Sequence, residues 1–266
     1  FKSAATLNYS NIPQGRLNYY NNVVRDVDGN YRFKGTSNNV NNYIRFEGDL
    51  FRIIGAFKVA NSLDGTPEWR YKIIKASSQG VLNVNSNQVP YQNSPIYSSL
   101  YQTKYALSNY VDNAVWNVGA SGSVSSTKTL SSGYGNEKGA KWVGKIGALS
   151  VSDYAYASLD NTSYSYYCRN LGNNWMSVND TEWTMNYNSS YTYYAYNAST
   201  DVSYGSNMQY RPVVYLKSDV RITGGNGTSS NPYIFDSPSV NTALETTNPV
   251  GITRQPESTT TTVTTT

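Results

Sequence analysis

The chain contains no histidine and a single cysteine, Cys168. The first absence excludes His-based catalytic triads, His-ligated zinc, His-held haem and the commonest general base. The second excludes an internal disulfide and any cysteine-cluster metal site. A reactive thiol needs a basic neighbour, and Arg169 is adjacent, but a buried or incidental cysteine is the simpler reading. Charge is also scarce: 14% of residues are charged, against roughly 25% in an average soluble domain. The net charge of +4 is small and dispersed, which speaks against nucleic acid or an anionic membrane surface as a partner. No run approaches the roughly 18 to 20 apolar residues of a membrane span. The chain starts at Phe1 rather than Met. The expectation is that a signal peptide or anchor preceded it, and that membrane attachment, if any, runs through that unseen part.

Polarity comes instead from amides and hydroxyls. The 266 residues include 26 Tyr and 32 Asn. That length suffices for one large or two small domains with a sizeable core. Helix signals are few. The best helical candidate is 96–115, where Leu100, Leu107, Tyr110 and Val111 would share a face. A short turn is expected after Ser152, with Ser152-Asp153-Tyr154 as a cap leading into Ala155–Ala157.

Strand signals are many. Tyr43–Phe46 and Leu50–Ile54 are β-prone runs around Glu47-Gly48-Asp49 and read as a hairpin. Tyr71–Ile74 is a third strand, and Val213–Leu216 is another, entered through Pro212. Asp26–Tyr31 reads as a turn between two polar strands. It also resembles the start of a calcium loop, but the twelfth position is Ser37 rather than an acid, so no metal is assigned. After about Asp236 the apolar periodicity stops, and seven of the eight residues from Thr259 to Thr266 are Thr. This gives a globular head over 1–236, with 1–41 as a possible N-terminal β extension, and a Pro/Thr-rich stalk or linker over 237–266. Thr259, Thr260, Thr261 and Thr262 are candidate O-glycosylation positions. Six Asn-x-Ser/Thr sequons, at Asn8, Asn161, Asn179, Asn188, Asn197 and Asn226, fit an exposed surface but arise easily in so Asn- and Ser-rich a chain.

Four blocks carry a resemblance. They are Asn42–Gly55, Lys141–Tyr154, Asn174-Trp175-Met176 and Arg211–Ser218, the last continuing through Ile222–Tyr233. Together they resemble surface proteins of gut Firmicutes, where the first block takes the form "NYV-F-NG-LWRI". Their order and the closing Arg-Pro-Val element are similar, more weakly, to C-type-lectin-like and formylglycine-generating-enzyme-like folds. The resemblance implies an α+β, β-rich domain of C-type-lectin-like mixed type, with twisted antiparallel sheets, few short helices and long loops. It does not imply catalysis. The formylglycine chemistry uses paired cysteines, and this chain has one. The calcium-dependent lectin site uses a Trp-Asn-Asp triplet, and here only Val178-Asn179-Asp180 stands.

Residues 184–210 are the candidate binding segment. Seven of these 27 residues are Tyr, and most others are Asn, Ser, Thr or Gly. This is paratope-like composition: Tyr gives large contact area at low rotamer entropy, and amides and hydroxyls adapt their hydrogen bonds. Tyr rings also stack on sugar faces. In lectin-like folds the variable segment lies just before the closing strand, as this one lies just before Arg211-Pro212. The candidate contact residues are Trp183, Tyr187, Tyr191, Tyr193, Tyr194, Tyr196 and Tyr204. Tyr191-Thr192-Tyr193 equally fits a plain half-buried strand. Asp180/Glu182 and Glu47/Asp49 are carboxylate pairs two apart, the spacing that places both on one strand face. With 17 acids such pairs arise by chance, and no enzyme is expected. The expected function is an extracellular, cell-surface, adhesin-like bacterial glycoprotein that binds a glycan or protein ligand without cofactor or catalysis. The alternative is a subunit that assembles with copies of itself into a filament, its Thr-rich tail packed on a neighbour.

Overall fold

The computed structural model describes residues 22–36, 39–83, 90–119, 130–158, 174–177, 182–186, 195–196 and 207–236. Within them the protein is β-rich, with few short helices. None of these helices is long and apolar enough to cross a membrane.

The fold is built around one long strand. β4 (Asp49–Val59) holds seven consecutive buried residues, Phe51 to Phe57, and is covered on both faces. Its first half pairs with β3 (Tyr43–Phe46) and its second half with β2 (Tyr31–Phe33). Its other edge pairs along its length with β5 (Glu68–Lys75), placing Ile53 opposite Ile73. The β3–β4 hairpin closes through Glu47 at φ 48° and Gly48 at φ 80°. Both central residues are left-handed, the turn that matches the twist of the flanking strands. β1 (Val23–Arg25) extends the sheet beyond β2, so described strands of the expected N-terminal extension belong to the main sheet. On the far side β5 pairs with β13 (Val213–Tyr215), which pairs with β9 (Ile146–Gly147). Every pairing in this seven-stranded sheet is antiparallel.

Gly55 marks a close approach. A Cβ there would stand 1.9 Å from the Tyr31 carbonyl oxygen. The register of β4 on β5 shifts at the same place, between Ile53 and Gly55.

A second sheet runs β11 (Ala195–Tyr196), β10 (Glu182–Trp183), β12 (Asn207–Tyr210), β6 (Gly80–Asn83), with β10 and β12 parallel. Two antiparallel pairs complete the strands: β7 (Ala114–Asn117) with β8 (Lys141–Gly144), and β14 (Arg221–Gly224) with β15 (Ile234–Asp236). The latter docks on β3, where Tyr43 N–H donates to Gly227 and Arg45 N–H to Tyr233.

The helices depart from the sequence reading. α1 is only Pro95–Leu100, capped by Ser94, whose hydroxyl accepts from Tyr97 N–H. Beyond Tyr101 the chain makes turns and enters β7, so the expected helix over 96–115 is corrected. Leu100 and Val111 are core residues, but Leu107 is 68% exposed. Their helix-like spacing arises because one apolar layer is reached by a turn-rich chain. α2 is Leu130–Glu137, and α3 is Val151–Tyr156. α3 starts at an earlier cap than expected: Ser150, not Ser152, accepts from Asp153 N–H, at 3.2 Å. Ser152 is instead held by Glu137.

Candidate functional site

The two ends of the Tyr-rich segment are fixed in the core. Glu182 and Trp183 form β10 before it, and Met208, Tyr210 and Arg211 follow at its end, all buried. Arg211 donates through Nε and Nη2 to both Glu182 carboxylate oxygens at 2.7 Å, and through Nη2 to the Met176 carbonyl at 2.8 Å. A bidentate guanidinium–carboxylate pair is stronger and more directional than a neutral hydrogen bond. The pair joins the residues that bracket the segment, closing its neck. Asn186 adds a third tie: its side-chain oxygen accepts from Val151 N–H and its amide donates to the Gly119 carbonyl. Met185 N–H donates to Leu149.

Of the candidate contact residues, Trp183 is corrected. It is 2% exposed, and its indole N–H donates to the Leu82 carbonyl at 2.9 Å. Its ring packs the base of the segment and presents no face to a ligand. Tyr196 lies in β11 opposite Glu182. Tyr187, Tyr191, Tyr193, Tyr194 and Tyr204 lie outside the described residues, as do Thr259–Thr262, Cys168, Asp180 and the sequons other than Asn226. Asn226 is exposed in the β14–β15 turn, and its side-chain oxygen accepts from Thr228.

The carboxylates read as possible pairs are tied individually. Glu47 accepts from Ser108 Oγ at 2.6 Å, and Asp49 from Tyr105 OH at 2.7 Å. Bonds from Lys104 and Tyr105 hold the Asp49 carboxyl below its ordinary range. Asp26, which opens the calcium-like run, accepts from Asn30 and from Arg32 Nε at 2.8 Å. Asp26 is thus paired with a guanidinium. Among the described residues no group of three or more acids or thiols could hold a metal.

Two buried polar centres organise the interior. In the first, Arg32 bridges Asp26 and Asp153, its Nη1 2.7 Å from Asp153 Oδ1. Its guanidinium lies over Phe57, Tyr134 and Tyr156 at 4.6, 4.9 and 4.6 Å. Burial opposes its charge, but Asp153 and Asp26 outweigh this and raise its pKa. Lys72 Nζ is 2.5 Å from Asp153 Oδ2. Burial lowers the Lys72 pKa, with Asp153 opposing. Asp153 is depressed despite burial, because Lys72 and Arg32 favour its anion. Glu137 shares this interior, accepts from Ser152 N–H at 2.8 Å and Oγ at 2.5 Å, and is pushed by burial up to about 7.

The second centre is a clasp at 174–177. Trp175 donates its indole N–H to Phe33 and its backbone N–H to Gly35. Arg52 lies over the Trp175 and Tyr43 rings at 4.6 and 4.3 Å and donates to Asn42 Oδ1, the Trp175 carbonyl and the Val40 carbonyl. Burial brings its pKa down to about 10. Asn174 ties the clasp to α3 through the Tyr154 carbonyl.

The surface carries a feature the sequence reading missed. From the buried Trp116, rings step outward through Trp142 (6.4 Å), Tyr97 (5.2 Å further) and Tyr101 (5.5 Å). Tyr91 backs Tyr97 and Trp142. Tyr101 is 43% exposed and accepts from Gln102 at its hydroxyl. Tyr97 and Tyr101 stand one helical turn apart behind the Ser94-Pro95 start, which is the signal that could have found them.

No protein-family model, no curated protein and no solved structure matches the chain.

Proposed function

We propose that this chain is a C-type-lectin-like contact domain, extracellular and non-catalytic, that binds a glycan or protein ligand displayed on another surface through residues 187–206. The observation that carries this reading is the Glu182–Arg211 neck. One buried ion pair joins the residues on either side of a Tyr/Asn-rich segment of paratope composition. Fixed ends lower the ordering cost of the loop on binding, and Tyr rings with amide neighbours supply platform and polar fixers together. The Tyr97–Tyr101–Trp142 ledge offers a second apolar platform with a polar rim.

Glycan-array and whole-cell binding by the wild type test the reading. A variant carrying Tyr191→Ala, Tyr193→Ala, Tyr194→Ala and Tyr196→Ala should lose binding by at least about tenfold, the equivalent of about 1.4 kcal/mol, with an unchanged melting temperature. Wild-type binding that persists in that variant would defeat the loop assignment. Binding that disappears on Tyr101→Ala instead would move the site to the ledge.

A further inference from the structure

We infer that Lys72 and Asp153 become joined by an intramolecular amide, so that β5 and α3 are covalently tied in the mature chain. The geometry is that of an amine held in hydrogen-bond contact with the carboxyl group that would acylate it. Lys72 Nζ stands 2.5 Å from Asp153 Oδ2, and both side chains are almost wholly buried, at 6% and 1% exposure. Phe57, Trp116 and Tyr215 surround the amine at 5.3 to 5.4 Å. In water an amine and a carboxyl persist as ions. Here the pair rests as ions, because Lys72 and Arg32 favour the Asp153 anion, but the loss of hydration lowers the cost of passing one proton between them to give amine and acid, and released water leaves for bulk solvent. A desolvated lysine is also an activated nucleophile. Fixing the pair on two rigid elements replaces an encounter with a standing contact.

The atoms balance without a co-reactant. One proton passes from Nζ to Oδ2 along their hydrogen bond, giving amine and carboxylic acid. Nζ attacks Cγ, and charge develops on Oδ1, which Arg32 Nη1 already contacts at 2.7 Å. That guanidinium is pinned by Asp26 at 2.8 Å, so it is preorganised as the oxyanion partner. A second proton moves from Nζ to Oδ2, the Cγ–Oδ2 bond breaks, and Oδ2 departs as water. Oδ1 remains as the amide carbonyl and Nζ keeps one hydrogen. Burial lowers the Lys72 pKa, which favours the required neutral amine. The bond would close the chain between positions 72 and 153. With its single cysteine, the chain cannot close a loop by an internal disulfide. The inference is independent of which ligand the domain binds.

Intact-mass spectrometry of the folded, purified chain, followed by denaturing digestion and peptide mapping, decides it. The expected mass is lighter than the sequence by one water, and the map should contain a branched peptide joining the segments that carry Lys72 and Asp153. Lys72→Arg keeps the charge but removes the amine, and should restore the full mass. A wild-type mass equal to that of the sequence overturns the inference, and needs no variant to fold. A water loss that persists in Lys72→Arg, or that maps to other residues, overturns it equally.

Discussion

Removing either partner of the Glu182–Arg211 pair should be among the most damaging single changes this protein can suffer. Both side chains are 1 to 2% exposed, so neither charge can turn to solvent. In Glu182→Ala the guanidinium loses both carboxylate bonds and keeps the Met176 carbonyl. Breaking a buried pair from one side costs about 3 to 5 kcal/mol, because the remaining charge stays desolvated. A domain has only about 5 to 15 kcal/mol in total. At about 2 to 4 °C per kcal/mol for a chain of this size, the melting temperature should fall by on the order of 10 °C. Urea denaturation of wild type, Glu182→Ala, Arg211→Met and the double variant Glu182→Leu/Arg211→Met measures this. The double variant should be less damaged than the sum of the singles, since it leaves no orphaned charge. Limited proteolysis adds a local readout: cleavage within 187–206 should accelerate in Glu182→Ala below its melting temperature. Single variants costing under about 1 kcal/mol, or strict additivity in the double, would refute the neck as a buried, coupled pair.

Two further perturbations follow from the core. Burial raises Glu137 to about 7 from an ordinary 4.5, so the folded chain holds a proton that the unfolded chain releases. Its favourable contribution is complete below about pH 4.5 and is lost as pH rises to about 7, a swing of about 3 kcal/mol. Asp153 adds nothing in that window, whether as a carboxylate depressed by its cations or as the amide inferred above. Denaturation midpoints between pH 5 and 8 should decline in the wild type and much less in Glu137→Gln, and equal slopes in both would contradict the assignment. Gly55→Ala should cost about 3 kcal/mol or more, since its Cβ would meet the Tyr31 carbonyl oxygen at 1.9 Å and β2 cannot yield without moving Arg32. Retention of wild-type stability by thermal melt would show that β2 does not lie there.

What was legible in the sequence was local. The Tyr43–Ile54 hairpin showed because two β-prone runs flank a Gly-containing turn, and the structure places left-handed residues at that turn. The Asp26–Tyr31 turn and the strand after Pro212 were legible for the same reason. The misread elements were those where two local patterns compete. Leu100 and Val111 both reach the core, but the chain between them turns repeatedly and leaves Leu107 in solvent. Ser150 and Ser152 both look like caps, and only the long-range grip of Glu137 on Ser152 decides between them. Trp183 has the composition of a binding segment around it, yet it is buried and its indole N–H donates to Leu82, which makes it packing. The β-rich class, the antiparallel main sheet and the few short helices were legible from strand signals alone. The charge pairs were not: Arg32 meets Asp153 across 121 residues and Lys72 meets it across 81. No periodicity announces a partner that far away.

The scarcity of charge takes on a different meaning once these partners are known. Arg32, Arg52, Lys72, Arg211, Asp26, Glu137, Asp153 and Glu182 are all buried, and they come from positions between 26 and 211. Each is expensive to bury and costly to orphan, so each contact makes sense only when the others are in place. Arg52 and Trp175, Asp153 and Lys72, Arg211 and Glu182 are therefore joints between blocks that are weak alone. Asn42–Gly55 supplies Arg52, Lys141–Tyr154 supplies Asp153, Asn174–Met176 supplies the clasp, and Arg211–Ser218 supplies the neck. The blocks that carry the sequence resemblance thus correspond to the interior wiring. Glu182 and Arg211, which bracket the Tyr-rich segment, belong to that wiring.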